Sequence, residues 1–442
     1  GESVSLWHGR FQLASAAFVT ASVMEITTPE DRHLLAKAQA HFLEAVEALR
    51  ITGGWPEGYN YWINNRAYPF ALACLAHMNS VDAPNLNAKI KTVLETVGLW
   101  TIYGTRPDGR FALFGDTGPR NDLNDDTQRF IDLVLLGTGN PVFKYYSAYL
   151  GTRPKGTGYY HKYRWSMPVF RGLPENDYPA SLVYKDLSFL NNVLPNSRIF
   201  GAGAFNQVFI RSGWGLEDSF ISFRAGNTFA HHGHYQAGHF TLDKYAPLAL
   251  TSGTYGGYTS PHRLNYYIRT IAGNSLLIQK PGEIVKPNHF FTDNVSAGGQ
   301  RIIIPTGSAV ASVDNWTQNL TWGQQYKGAS LKAFDNSHPD FVFISSDLTP
   351  AYAEDKARKV TRQLCYLTKE DLLILHDEVA ATFRHLSPKW LLHTWSKPET
   401  RSETLITGTA DNGILQSADQ QACMVHDNGS LHMAVIDRKS VV

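Results

Sequence analysis

NNVLPNSRIFGAGAF, residues 191–205, separates two kinds of periodicity, and the fold is read from that change. Before it, apolar residues recur at helical spacing. LWHGRFQLASAAFVTASVMEI is Ala-rich, and Thr28-Pro29-Glu30-Asp31 then reads as an N-cap, a Pro at the first helical position and an acidic third position. The runs NNRAYPFALACLAHM, NAKIKTVLETVGLWTIYG and DDTQRFIDLVLLGTG continue the pattern. Their connections, ITGGWPEGYNYW and RPDGRFALFGDTGPRND, are rich in Gly, Pro, aromatics and charge, as expected of antiparallel helix pairs with functional loops at one end. After the boundary the period is two: QVFIRSGW, SFISFRAG, HFTLDKYAPLALTSG, RIIIPTG, FVFISSD, RQLCYLT and DLLILHDEV are short runs bounded by turn residues. The expected fold is multidomain α+β. An N-terminal (α/α) toroid, an incomplete barrel, spans residues 1–195, and an antiparallel β-sandwich spans 196–442.

With 442 residues, 43% of them hydrophobic, the chain has ample material for two or three domains. Forty basic against 39 acidic side chains give a net charge of +1, so no global basic field draws nucleic acid or an anionic membrane. Cys74, Cys365 and Cys423 lie far apart without a CxxC pair, which excludes a disulfide scaffold and a zinc ribbon. No apolar run approaches the length of a membrane span. The chain opens at Gly1 and stops after the strand-like HMAVIDRKSVV. A processed product is expected, its signal peptide removed, and hence a secreted or periplasmic location. Aromatics at 12% and 17 histidines are the unusual entries. Aromatic-rich surfaces of moderate charge suit sugar rings, whose apolar faces stack while their hydroxyls find polar partners.

Three constellations carry candidate chemistry. FAHHGHYQAGHF, residues 229–240, places His231, His232, His234 and His239 close together. On a strand, His232 and His234 share a face, suited to a metal or an anionic substrate, the alternative being a solvated His-rich loop. GGWPEGYNYW, residues 53–62, is a turn-rich loop entering a helix. It reads either as a hydrophobic plug or as a sugar platform with a phenol poised for proton transfer. Trp7-His8-Gly9-Arg10 opens the first helix, where a His beside a Trp is ordinarily packing.

Taken jointly, these motifs resemble the heparinase II/III-type polysaccharide lyases, including the related alginate and glycosaminoglycan lyases. HHGHYQAGHFTLDKYAPLALTSGTYGGY…HRLNYYIRTIAGNSLLI, residues 231–278, is similar to that family's His-x-His strand, its apolar-Asp-Ser-Gly-x-Tyr turn and its Tyr-x-Arg-Thr-x-Ala-His-Asn segment. GGQR, SSDLTPAY, RQLCYLTKEDLLILHDEV and KWLLHTW give further echoes, and GWPEGYNYW resembles the loop of the catalytic tyrosine. The resemblance implies β-elimination at a uronate. A base takes the C5 proton, a positive partner holds the carboxylate, and an acid protonates the departing O4. It assigns His8 as base or carboxylate partner, Tyr61 as general acid and also a possible base, and His232 as the group polarising the carboxylate. Tyr59 is the alternative to Tyr61, and His231 to His232. Trp55, Tyr59, Asn60, Trp62, Asn65, Arg66, Arg120 and His231 are the substrate contacts it implies, with Tyr103 a further candidate.

The chain also departs from the family. The usual metal ligands fall on His234, Thr251 and Gly273, so only His234 survives, and Gln236 replaces a common Asp. A Thr hydroxyl and a Gly cannot replace a carboxylate and an imidazole, so no metal is expected. A divalent Zn, Mn or Ca held instead by His239 and His262 is the lesser alternative. Asp116 is expected to orient an arginine. The expected partner is an anionic polysaccharide or oligosaccharide. Two other readings compete: a toroid hydrolase using a pair among Glu57, Asp116, Asp125 and Asp126, and a non-catalytic glycan-binding relative.

Overall fold

The computed structural model describes residues 8–64, 66–118, 120–152, 184–227, 232–283, 297–302, 312–314, 317–318, 327–409 and 413–436. Helices come first: α1 (His8–Ser22), α2 (Pro29–Thr52), α3 (Tyr59–Ile63), α4 (Ala67–Ser80), α5 (Pro84–Tyr103), α6 (Asp125–Thr138) and α7 (Pro141–Gly151). The cap read from the sequence opens α2. The Thr28 hydroxyl accepts the Asp31 N–H at 3.1 Å, and the Asp31 carboxylate accepts the Thr28 N–H at 2.8 Å. Gly53 closes the helix in the left-handed region at φ 62°.

Antiparallel strands follow. One sheet orders β1 (Ser197–Phe200), β2 (Gln207–Arg211), β3 (Phe220–Arg224), β4 (His239–Lys244) and β5 (Ala246–Ala249) consecutively. After the short β6 (Leu276–Ile278), a second sheet joins β7 (Ser330–Asp335), β8 (Phe341–Asp347), β9 (Ala357–Leu367) and β10 (Leu372–Ala381), also in sequence order. Neither sheet closes into a barrel.

The period of two explains the layering. Along β2 and β3, Phe209 and Phe220 turn toward the helical core. Val208, Ile210, Ile221 and Phe223 turn the other way, onto Val342, Ile344, Val360 and Leu364 of the second sheet. The first sheet is therefore buried on both faces, which is why its strands read as nearly unbroken apolar runs. The second sheet is covered on one face only. In β10, Leu373 and Leu375 pack inward while Leu372 and Ile374 are exposed.

Buried polar groups tie the layers together. The Trp100 indole N–H donates to Gln207 Oε1 at 2.9 Å, linking α5 to β2. Arg362 of β9, fully buried, donates to the carbonyls of Gly238 (2.6 Å) and Asn274 (2.7 Å) and forks onto the Asp377 carboxylate with two 2.7 Å bonds. Removing that guanidinium strands a carboxylate and two carbonyls. Arg362→Ala is therefore expected to cost about 3–5 kcal/mol, whereas Lys359→Ala, which breaks an exposed pair with Glu378, is expected to cost under about 1 kcal/mol. Urea unfolding of both variants checks the contrast.

Candidate active site

Two loops meet where glycine permits it. A Cβ on Gly58 (φ 97°) would lie 2.6 Å from the Phe114 carbonyl oxygen, and one on Gly115 (φ 71°) would lie 2.4 Å from that of Glu57. The two backbones touch because neither residue has a side chain. That contact brings Tyr61, on the short α3, near Asp116 on the loop before α6. From the sheet side, the 232–238 segment leads into β4, and a π-helical turn over Arg263–Tyr267 faces it.

Asp116 is the centre of the site. Its carboxylate, 1% exposed, accepts from His232 Nδ1 at 2.5 Å, His234 Nε2 at 3.0 Å and Arg263 Nε at 2.9 Å. Burial alone would raise this carboxyl; the two imidazole bonds and Arg263 outweigh it and hold it well below the usual carboxylate range. Burial pushes the His234 imidazole down, against the pull of Asp116.

Aromatic rings enclose His232. Tyr61 stacks on it with centroids 4.0 Å apart, Tyr258 meets it edge-on at 5.0 Å, and Tyr255 stands edge-on to both Tyr61 and His232. The Tyr61 hydroxyl donates to the Tyr255 hydroxyl at 3.0 Å. Burial, and then that bond, drive the Tyr61 phenol far above its ordinary value, and burial pushes Tyr258 up to about 12. The shift favours the protonated phenol, the form a general acid needs. The Arg66 guanidinium sits 5.4 Å from the Tyr61 ring centroid and donates to the Asn64 carbonyl, with no ion pair among the described residues.

The sequence-predicted residues divide three ways. Tyr61, His232 and Arg66 come together. His8 begins α1, but its side chain, like Asn65 and His231, lies outside the described residues. Trp55, Tyr59 and Trp62 are fully buried, so the expected sugar platform is instead a hydrophobic plug: Trp55 stacks on Trp62, and Tyr59 stacks on Phe111 with its hydroxyl bonded to Thr127. Burial holds the Tyr59 phenol neutral and away from any substrate. Tyr103 is likewise core, its hydroxyl donating to the Pro195 carbonyl. Asn60 is half-buried on α3, and Arg120 is exposed and paired with Asp122 at 3.5 Å.

The His-x-His segment is a turn, not the expected strand, yet both imidazoles still reach one carboxylate. Asp116 orients an arginine, as read from the sequence, and two histidines besides. Tyr255, Tyr258 and Arg263 were not assigned from sequence. Tyr255 could have been, since it is the Tyr of the Ser-Gly-x-Tyr turn; the other two had no local signal.

The positions corresponding to the family's metal ligands do not fit a cation. The Thr251 hydroxyl donates to the Leu113 carbonyl at 3.3 Å and bonds His239 Nε2 at 2.8 Å. A Cβ on Gly273 would lie 3.1 Å from Gln236 Cγ. His234 Nδ1 is buried without a hydrogen-bond partner among the described residues, and one nitrogen is not a metal site. Each of the other two imidazoles is engaged: His239 Nδ1 accepts the Asn274 N–H at 2.8 Å, while His262 stacks on Tyr266.

Against solved structures the match is to lyases. Heparan sulfate lyase HepC from Pedobacter heparinus aligns with a TM-score of 0.51 at 12% identity, over 95% of this chain and 51% of its own. One heparinase III aligns at 0.50 and 15% identity (92% and 52% covered), and another at 0.51 and 13% (94% and 50%). The chain carries the heparinase III fold. It spans about half the length of those lyases. No family model and no curated protein matches its sequence. Within this heparinase III fold, helices and antiparallel sheets are arranged as described above, and no helix among the described residues is long and apolar enough to cross a membrane.

The His239 bonds make a pH prediction. Burial lowers its pKa to about 3, against an ordinary value near 6.5. The folded state therefore refuses a proton that the unfolded chain accepts. The stability is complete above about pH 6.5 and is lost as pH falls toward 3, by up to about 1.4 kcal/mol per pH unit for this group. His393, lowered by burial to about 4, and His234 act in the same direction. Urea midpoints between pH 7 and 5 should fall more gently for His239→Gln than for the parent.

Proposed function

We propose that the chain is a polysaccharide lyase that cleaves a uronate-containing anionic polysaccharide by β-elimination, leaving a 4,5-unsaturated uronate. On this reading the helical layer is the incomplete (α/α) toroid and the two sheets are its β-sandwich. The observation that carries the proposal is the Tyr61 ring stacked on His232 with centroids 4.0 Å apart and the Arg66 guanidinium 5.4 Å from the Tyr61 ring centroid.

The chemistry needs little more. The C5 proton of a uronate is acidic only while its carboxylate can hold the developing enolate charge, so that carboxylate must meet positive charge. Arg66 and His232 meet it. Tyr61 gives its proton to the departing O4, and His8, placed by sequence at the start of α1, takes the C5 proton. The lyases sharing the fold include one named for heparan sulfate, which makes a glycosaminoglycan the first polymer to try and alginate the second. The hydrolase reading has less support. Asp116 is buried and held ionised by three donors, a poor general acid. Asp125 and Asp126 belong to the first turn of α6.

The ultraviolet absorbance of the conjugated product, followed over heparan sulfate, chondroitin sulfates, hyaluronan and alginate, tests this. A rise on one polymer is expected. Tyr61→Phe should slow it by about 10²–10⁴-fold with binding of that polymer little changed; wild-type rates in that variant would sink the assignment.

A further inference from the structure

We propose that Asp116 is a positioning residue that fixes the ring of His232 with Nδ1–H turned inward and Nε2 turned to substrate. The inference rests on the lyase reading only for what Nε2 then does; the hold on the ring is independent of it.

The carboxylate has two oxygens and three donors. Oδ2 takes His232 Nδ1 and Arg263 Nε, and Oδ1 takes His234 Nε2. An ionised carboxylate only accepts. His232 must therefore present a protonated Nδ1 in both its neutral and its cationic form, and every exchange with a ligand passes through Nε2. Arg263 is locked in turn: its Nη1 donates to the Tyr258 carbonyl at 3.0 Å, and its guanidinium lies 4.5 Å from the Tyr258 ring centroid. The Tyr267 hydroxyl bonds the Gly115 carbonyl at 3.0 Å and accepts the Thr117 N–H at 3.2 Å, clamping the backbone on both sides of Asp116. Tyr61 covers the other face of the imidazole. A ring so held cannot flip without giving up its 2.5 Å bond to a buried carboxylate.

Asp116→Asn keeps the shape but offers one acceptor where two imidazoles and a guanidinium compete. The expected result is a fall in kcat on the order of 10²–10⁴-fold, with KM within about threefold and the variant still folded by thermal melting. Imidazole ¹⁵N spectra of the wild type, with His232 assigned by its loss in His232→Gln, should show Nδ1 protonated. In Asp116→Asn that signature should change.

A folded Asp116→Asn that keeps wild-type kcat, or loses only in KM, overturns the proposal. So does a wild-type spectrum with a bare His232 Nδ1, and that measurement decides the matter even where the variant does not fold. Absence of turnover by the wild type on every uronate polymer fails the lyase reading instead, and leaves the spectrum to judge Asp116.

Discussion

A carboxylate taken out of water must be repaid in place, and Asp116 imposes that requirement on everything around it. Its desolvation costs several kcal/mol, and the donors that offset the cost come from two separate stretches of the later half of the chain. The loop that carries it is packed against the Tyr61 segment at the close approach of Gly58 and Gly115. Tyr61 stacks on His232 and Tyr258 lies against Arg263, so the candidate site is assembled around one buried charge.

Much of this was legible in the sequence where the signal is local. The capping box at Thr28, the change of period near residue 195 and the histidine cluster all rest on neighbours within a few positions. What was not legible depends on long-range packing. Trp55, Tyr59 and Trp62 lie within six residues of Tyr61 and are aromatic like it. Only the three-dimensional position of α3 against α6 and the 111–114 segment decides that three rings are plug and one faces the site. Arg263 and Tyr258 lie far along the chain from Asp116 and share no motif with it.

The turn around His239 shows a second way in which sequence gave half of an answer. The absence of a carboxylate at Thr251 and of an imidazole at Gly273 could be read directly. That His239 would bond the Thr251 hydroxyl on one side and the Asn274 backbone on the other could not. Asn274 extends the set: its amide donates to the Phe240 and Leu250 carbonyls, and its carbonyl oxygen accepts from Arg362. Hydrogen bonds through Asn274 hold these segments of the sheet region together.

The change of period near residue 195 marks a change of architecture, but the helical core does not end there. Phe200, Phe205, Phe209, Trp214 and Phe220 come after it in sequence, yet they belong to the helical core. A fragment ending at the boundary would expose the aromatic floor on which α5 rests, and the sheets alone would present that same floor to water. Parting the chain at that boundary would therefore remove apolar cover from both halves at once.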